Sequence, residues 1–111
     1  MTTKAVPVID IDLDKQRQLK FTGKAFRIIE KETGKNALQG EVWQSMSMTD
    51  LCAVLWAGLT HEDRSLTLDD ASDLLHPGNQ MYIMEKVTEA WVGAIPDVEE
   101  AADPLAQNLP K

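Results

Sequence analysis

Residues Ser47 to Leu75 read SMTDLCAVLWAGLTHEDRSLTLDDASDLL, and this stretch decides the fold. From Leu51 to Leu59 every residue is apolar or glycine. A run of this length is too short to span a bilayer and too apolar on all sides to lie on a surface. The pattern therefore predicts a buried central helix, around which the other elements pack.

Two helix starts frame the apolar run. Ser47 is followed three residues later by Asp50, and Thr67 is followed at the same distance by Asp70. In such a capping box the hydroxyl accepts a hydrogen bond from a first-turn amide, and the acidic side chain bonds back to the capping residue. The spacing predicts one helix after Ser47 and another after Thr67.

The connection between these two helices is the polar segment His61-Glu62-Asp63-Arg64-Ser65. His61 beside two carboxylates allows a metal-binding or general-base role, but consecutive residues of a turn rarely converge on one ion. We favour a structural role, in which His61 stabilises the negative end of the helix dipole and its neighbours form a tight turn.

Length, charge and cysteine content narrow the class of protein. The chain has 111 residues, a formal net charge of -7 and one cysteine. We expect one domain over residues 1–96 and no nucleic-acid binding, which needs a basic face. Cys52 has no disulfide partner and lies in the apolar helix, where burial disfavours a reactive thiolate. Because no signal peptide or membrane-spanning segment is evident, we expect a soluble cytoplasmic protein that does not bind membranes.

The N-terminal residues predict a small antiparallel hairpin over residues 5–21, because apolar and polar residues alternate on both sides of a polar turn. An isolated hairpin is marginal in water, so its apolar face should pack on the helices. Asp10, Asp12 and Asp14 resemble the start of a calcium loop, but the later glycine and bidentate carboxylate of that loop are missing. We expect the three carboxylates to face solvent, where they discourage edge pairing.

Helices are also expected on both sides of the central stretch. The first should run from Thr22 to Thr33, with Thr22 as its cap and Gly34 as its stop. A weaker apolar periodicity that includes Leu38 predicts a short helix within residues 36–48.

The fourth helix, which begins after Thr67, should stop at Pro77-Gly78, and a last helix should cover residues 79–95. Residues 97–111 are acidic and twice broken by proline, so we expect a disordered acidic C-terminal tail. The predicted fold class is mainly α, with a small N-terminal β-hairpin packed on a compact bundle of four to five short helices.

Tryptophan and methionine residues provide the candidate interaction surface. Trp43, Trp56 and Trp91 lie on different predicted helices; burial is favoured for them, and Trp43 is the best candidate for an interaction anchor. Met81 and Met84 broaden the apolar stripe of the last helix, where core packing is favoured and a pliable partner surface is the alternative. The candidate partner-binding residues are Trp43, Met46, Met81 and Met84.

Sequence motifs for catalysis or cofactor binding are missing. The sequence has no phosphate-binding glycine loop, no His-Glu-x-x-His, no Gly-x-Ser-x-Gly and no cysteine pair. The residues alone therefore favour a small helical protein that has no catalytic, metal or cofactor site and binds another protein.

Two segments resemble the tail assembly chaperones of tailed bacteriophages. They are KFTGKAFRIIEKETGKNAL, from Lys20 to Leu38, and the stretch from Ser47 to Leu75, in the order and spacing typical of that family. The most specific part is the run that ends at Leu59, together with the start of the segment from His61 to Ser65, which we call the polar turn. The residues assigned to this motif, or to the core beneath it, are Leu55, Trp56, Gly58, Leu59, His61, Leu74 and Trp91.

The resemblance implies a non-enzymatic assembly factor that binds the tape measure protein, recruits tail tube subunits and then leaves. Such a protein acts in the cytoplasm of the bacterial host and is not expected in the mature virion. In this family a translational frameshift commonly gives a longer product, and the chain would correspond to the short form. Self-association is compatible with this role.

Two other classes stay open. A small acidic helical adaptor, or a regulator that mimics DNA, would also fit the charge and the helical pattern. An enzyme would need a cleft that gathers His61 with distant carboxylates. The identity of the flanking genes would separate the adaptor from the chaperone.

Overall fold

The computed structural model describes residues 6–95. Its elements in chain order are β1 (Ile9–Asp12), β2 (Gln16–Leu19), α1 (Gly23–Thr33), α2 (Glu41–Gln44), α3 (Met48–Leu59), α4 (Leu68–Asp73) and α5 (Gln80–Ala94). This confirms a mainly helical fold with an antiparallel hairpin near the N-terminus. The predicted tail, residues 97–111, lies outside the described residues.

The hairpin presents one face to the helices. β1 and β2 pair antiparallel with Ile9 opposite Leu19. Because side chains alternate across a strand, Ile11 and Leu19 are buried while Asp10 and Asp12 are exposed. The apolar side of this two-stranded sheet is therefore covered by the rest of the chain, as its small size requires.

Helix α1 begins and ends as its sequence predicts. The Thr22 hydroxyl accepts a hydrogen bond from the amide of Ala25 at 3.3 Å. The helix stops at Gly34, whose φ of 72° is a left-handed conformation that glycine adopts without a steric cost. Phe21 and Phe26 stack with ring centroids 6.4 Å apart, which is the contact expected of a hydrophobic staple.

Helix α3 is the centre of the structure. Its capping box is complete, since Ser47 Oγ accepts from the Asp50 amide at 3.1 Å and Asp50 Oδ2 accepts from the Ser47 amide at 3.2 Å. Eight of its twelve residues are buried, including Leu55 and Leu59. The helix contacts α1, α4, α5 and β2, so the apolar run lies in the core, as predicted.

Gly58 allows the hairpin to approach α3 closely. A Cβ atom at this position would lie 2.8 Å from Leu19 Cδ2 and 3.0 Å from Phe21 Cζ. At the same place the Gly58 carbonyl accepts a hydrogen bond from the Lys20 amide at 3.0 Å. This bond satisfies one of the carbonyls left free in the last turn of a helix.

One predicted helix is shorter than its apolar periodicity indicates, and one predicted boundary is wrong. The short helix predicted within residues 36–48 is present as the four residues of α2, but Leu38 lies outside it with its side chain 73% exposed. Helix α4 ends at Asp73 rather than at Pro77-Gly78. Beyond α4 the Asn79 side chain donates to the Leu74 carbonyl at 2.9 Å and accepts from the His76 amide at 2.9 Å, so side-chain bonds replace the last helical turn.

Candidate partner-binding surfaces

The polar turn after α3 binds the outer edge of β2. His61 Nε2 lies 2.8 Å from the Gln18 carbonyl oxygen, and Glu62 Oε1 accepts from the Gln18 amide at 3.1 Å. Both backbone groups of Gln18 are thus occupied by side chains of the turn. Covering an exposed strand edge in this way blocks pairing with another chain.

The contact between His61 and Gln18 gives His61 a different role from the one predicted from the sequence. Helix α3 ends at Leu59, so His61 lies beyond the helix and bonds β2 instead of stabilising the helix dipole. The Trp56 indole N–H donates to the Leu66 carbonyl at 2.8 Å and holds the far end of the same connection. The connection is therefore anchored at both ends.

A buried arginine adds ionic contacts to the junction between the hairpin and the polar turn. Arg17 is on the inner face of the hairpin, with its Nε 2.7 Å and its Nη2 3.0 Å from the two carboxylate oxygens of Asp14. Its Nη1 lies 3.5 Å from Asp63 Oδ2. Asp14 is exposed, as predicted, and it also pairs with Arg17, because a buried guanidinium requires a counter-charge.

The pKa values of these carboxyl groups follow their contacts. The hydrogen bond from Arg17 lowers the pKa of Asp14 to about 2. Bonds from Ser65, followed by Arg17, lower the pKa of Asp63. The pKa of Arg17 is raised, chiefly by its hydrogen bond to Asp14. The three charges therefore stay ionised together at neutral pH.

A second ion pair stabilises the start of α3. Lys35 Nζ lies 2.6 Å from Asp50 Oδ2 and donates to the Ser45 carbonyl at 2.5 Å. Burial raises the pKa of Asp50, but the bonds from Lys35 and Ser47 outweigh it and leave the pKa below its ordinary value. Lys35 thus joins the end of α1 to the start of α3.

His61 is engaged by the backbone of β2. Its ring nitrogen contacts a backbone carbonyl, and among residues 6–95 no group of three or more histidine, cysteine or acidic side chains is arranged to hold a metal ion. His76 Nδ1 accepts from the Gly78 amide at 3.1 Å in a separate turn. The two histidines therefore serve local backbone contacts.

Trp91 lies at the centre of an aromatic cluster. Its ring meets Phe21, Phe26 and Trp43 edge-to-face, with centroid distances of 5.5, 4.9 and 5.2 Å. Edge-to-face pairs at these distances are favourable beyond the area that they bury. The cluster joins the end of the hairpin, α1, α2 and α5.

Trp43 lies at the rim of this cluster. Its side chain is half-buried against Trp91, and within the described part of the chain its buried indole nitrogen has no hydrogen-bond acceptor. Packing therefore holds Trp43 in place. Met46, which follows it, is also half-buried against the core.

The two methionines of α5 differ. Met84 packs partly against the core, whereas Met81 is 82% exposed. The expectation that both fill the core is wrong for Met81, because the buried face of α5 is formed by residues on the opposite side of the helix. Those residues are Ile83, Val87, Ala90 and Trp91.

Val92 is a further exposed residue on the outer side of α5 and is 59% exposed. Met81, Glu85, Thr88 and Val92 recur at steps of four, three and four, which places them in one line along a helix. We call these four residues the outer stripe of α5. The spacing of Val92 from Ile83 and Val87 puts it on the side of α5 opposite the buried face, a signal that sequence reasoning did not use.

The candidate partner-binding residues are not all brought together. Trp43 contacts Trp91 near the C-terminal end of α5, whereas Met81 and Met84 are near its N-terminal end. Ten residues of helix separate Met81 from Trp91, or about 15 Å at the usual rise per residue. Only Met81 offers a mainly exposed side chain to a partner.

Comparison of the chain with protein-family models, curated proteins and solved structures found no match in any of the three. Within residues 6–95 no helix combines the length and the apolar character needed to cross a membrane.

Proposed function

We propose that the protein is a non-enzymatic tail assembly chaperone of a tailed bacteriophage, which binds the tape measure protein and recruits tail tube subunits. The proposal starts from the resemblance of residues 20–38 and Ser47 to Leu75 to that family. Those two segments form α1, α3 and α4, and α3 packs against both of the other helices. The resembling residues thus form one connected part of the fold.

The exposed Met81 side chain is the observation that carries the binding part of the proposal. A largely exposed methionine is adaptable and can fit different apolar partners. With Val92 it gives the outer stripe of α5 two apolar positions, separated by Glu85 and Thr88. A partner helix that lies along this stripe would place its own apolar residues against both ends.

The physical task of such a chaperone follows from the partner. A long helical tape measure protein carries apolar stripes that aggregate when they are not covered. A small protein with exposed apolar side chains at Met81 and Val92 and a net charge of -7 would cover these surfaces and keep the complex soluble. This task requires binding and release, and no chemical step.

The test is co-expression with the tape measure protein encoded in the same genome. We expect the chain to raise the soluble fraction of the tape measure protein and to be recovered with it in a pull-down. Met81→Asp and Val92→Asp should each reduce recovery, because a carboxylate in an apolar contact loses its hydration without a partner. Leu38→Asp is the matched control, since it places the same charge on an exposed leucine that is not part of α5.

The proposal would be abandoned if co-expression left tape measure solubility unchanged and pull-downs recovered neither tape measure nor tube protein. Equal loss in all three aspartate variants would show that added charge, rather than the outer stripe, controls binding. In that case α5 would not be the binding surface.

A further inference from the structure

The charges of this acidic protein are strongly segregated along the chain. Seven of its eleven basic residues fall between Lys15 and Lys35, a segment that contains only two acidic residues. The basic residues of this segment are Lys15, Arg17, Lys20, Lys24, Arg27, Lys31 and Lys35. The segment from Lys15 to Lys35, which contains β2 and α1, therefore carries a local positive charge that the net charge of -7 conceals.

Three of these basic residues lie on the outer face of α1. Lys24, Arg27 and Lys31 are exposed, and their spacing of three and four residues puts them on one side of the helix. None of them forms an ion pair with any residue in the range 6–95. Arg17 and Lys35, in contrast, are occupied by Asp14 and Asp50.

The same face contains an open groove of about 590 Å³, lined by Lys24, Arg27, Ile28, Glu30 and Lys31. Ile28 is half-buried and is the apolar member of this lining, beside the basic side chains. We call it the basic groove of α1.

The one carboxylate at the basic groove is directed elsewhere. Glu30 Oε2 accepts a hydrogen bond from the amide of Ala37 at 3.0 Å, across the end of the helix. Glu30 is therefore held toward the following loop, and among the residues that line the groove three positive charges outnumber one negative charge.

We propose that the basic groove of α1 binds an acidic amphipathic helix of a partner protein. Such a helix would place carboxylates opposite Lys24, Arg27 and Lys31 and an apolar side chain on Ile28. The three basic residues span seven positions, or about 10 Å along the helix axis, which matches carboxylates at i, i+3 and i+7 of the partner. This site is separate from the outer stripe of α5.

Charge and size favour an acidic helix over a nucleic acid. Duplex DNA carries one negative charge about every 1.7 Å, so a stable complex needs a basic face longer than three residues. Outside the segment from Lys15 to Lys35, residues 6–95 contain twelve acidic and two basic residues, which would repel the remainder of a long polyanion. A short acidic helix fits within the positive field.

The test uses the full chain and a fluorescent helical peptide with glutamate at i, i+3 and i+7 and leucine at i+4. A second peptide carries lysine in place of glutamate. We expect saturable binding of the acidic peptide that weakens as salt is added, and no binding of the lysine peptide. Lys24→Glu combined with Lys31→Glu should weaken binding by about tenfold or more.

The matched control is Lys15→Glu combined with Arg64→Glu, which changes the net charge equally at exposed sites away from the groove. We expect it to change affinity by about twofold or less, because exposed charges beyond a Debye length are screened. Ile28→Gln should weaken binding of the leucine peptide more than that of an alanine counterpart. Circular dichroism would show whether each variant keeps the helical content of the parent chain.

Several results would overturn the proposal. Equal weakening by the two charge-reversal pairs would show a general effect of net charge. Tighter binding of a DNA oligonucleotide, or of phosphatidylglycerol vesicles, would assign the basic groove to a phosphate polyanion or a membrane. Self-association of the free chain that disappears in the Lys24→Glu and Lys31→Glu variant would assign it to a second copy.

Discussion

Helices α3 and α5 differ in how much of their surface the rest of the molecule covers. Eight of the twelve residues of α3 are buried, whereas four of the fifteen residues of α5 are buried. Helix α3 leaves no complete face for a partner, and α5 leaves its outer stripe free. We infer that α3 holds the fold together and that the outer stripe of α5 is open to a partner.

The largest change in stability is expected from a substitution that creates a cavity beside α3. Leu55 is completely buried, so Leu55→Ala should reduce the free energy of unfolding by about 2–5 kcal/mol. Urea denaturation measures this change. A loss below about 1 kcal/mol would mean that the site collapses or is less tightly packed than the structure shows.

The close approach at Gly58 gives the next largest effect. Gly58→Ala should destabilise the protein by about 1–3 kcal/mol, because its Cβ would overlap Leu19 and Phe21. Gly23→Ala is the matched control: a Cβ there meets no atom within 4 Å, so that variant should be neutral or slightly more stable. Equal stability of the two variants by thermal denaturation would contradict the close contact.

The capping box of α3 should contribute about 1 kcal/mol. Ser47→Ala removes the hydroxyl that accepts from the Asp50 amide, and losses of this kind are usually about 0.5–2 kcal/mol. Ser47→Asp keeps an acceptor at the cap and should recover most of the stability. Urea denaturation of both variants would test the cap, and an equal loss in both would argue against it.

Acid should weaken the junction between the hairpin and the polar turn. The hydrogen bond from Arg17 holds the folded-state pKa of Asp14 at about 2, below its ordinary value of 3.8. The stabilising effect of this carboxylate is therefore complete above about pH 4 and falls as the pH approaches 2. The lowered pKa values of Asp50 and Asp63 act in the same direction. Stability measured against pH should therefore decline below pH 4, and less steeply in Arg17→Met. Identical slopes for the two proteins would show that Arg17 is not responsible.

The smallest effect on stability is expected on the outer side of α5. Met81→Asp should change the free energy of unfolding by about 0.5 kcal/mol or less, because the native side chain is 82% exposed. A much larger loss would mean that Met81 is buried against the core, as first expected. The contrast between α3 and α5 would then fail.

Local signals in the sequence predicted the helix boundaries well where they involve neighbouring residues. The caps at Thr22, Ser47 and Thr67 and the stop at Gly34 depend on residues within three or four positions of one another. The apolar run of α3 identified the core because it leaves no polar face. Such features need no knowledge of distant contacts.

Long-range contacts account for what could not be predicted. Nothing near Arg17 in the sequence indicates that its side chain is buried. Its position on the inner face follows from strand alternation, and its contact with Asp63 brings together residues that are far apart in the chain. His61 likewise finds Gln18 only after the hairpin has packed on α3. The exposure of Met81, in contrast, could have been predicted, because its spacing from Ile83 and Ala90 places it on the opposite side of α5.

Hydrogen exchange of the full chain, with and without the tape measure protein, tests the central claim most directly. Exchange of α5 amides should slow on binding, while α3 amides, already protected by the core, should change little. If protection instead rose in α3 or at the polar turn and left α5 unchanged, the division between a structural α3 and a binding α5 would be contradicted.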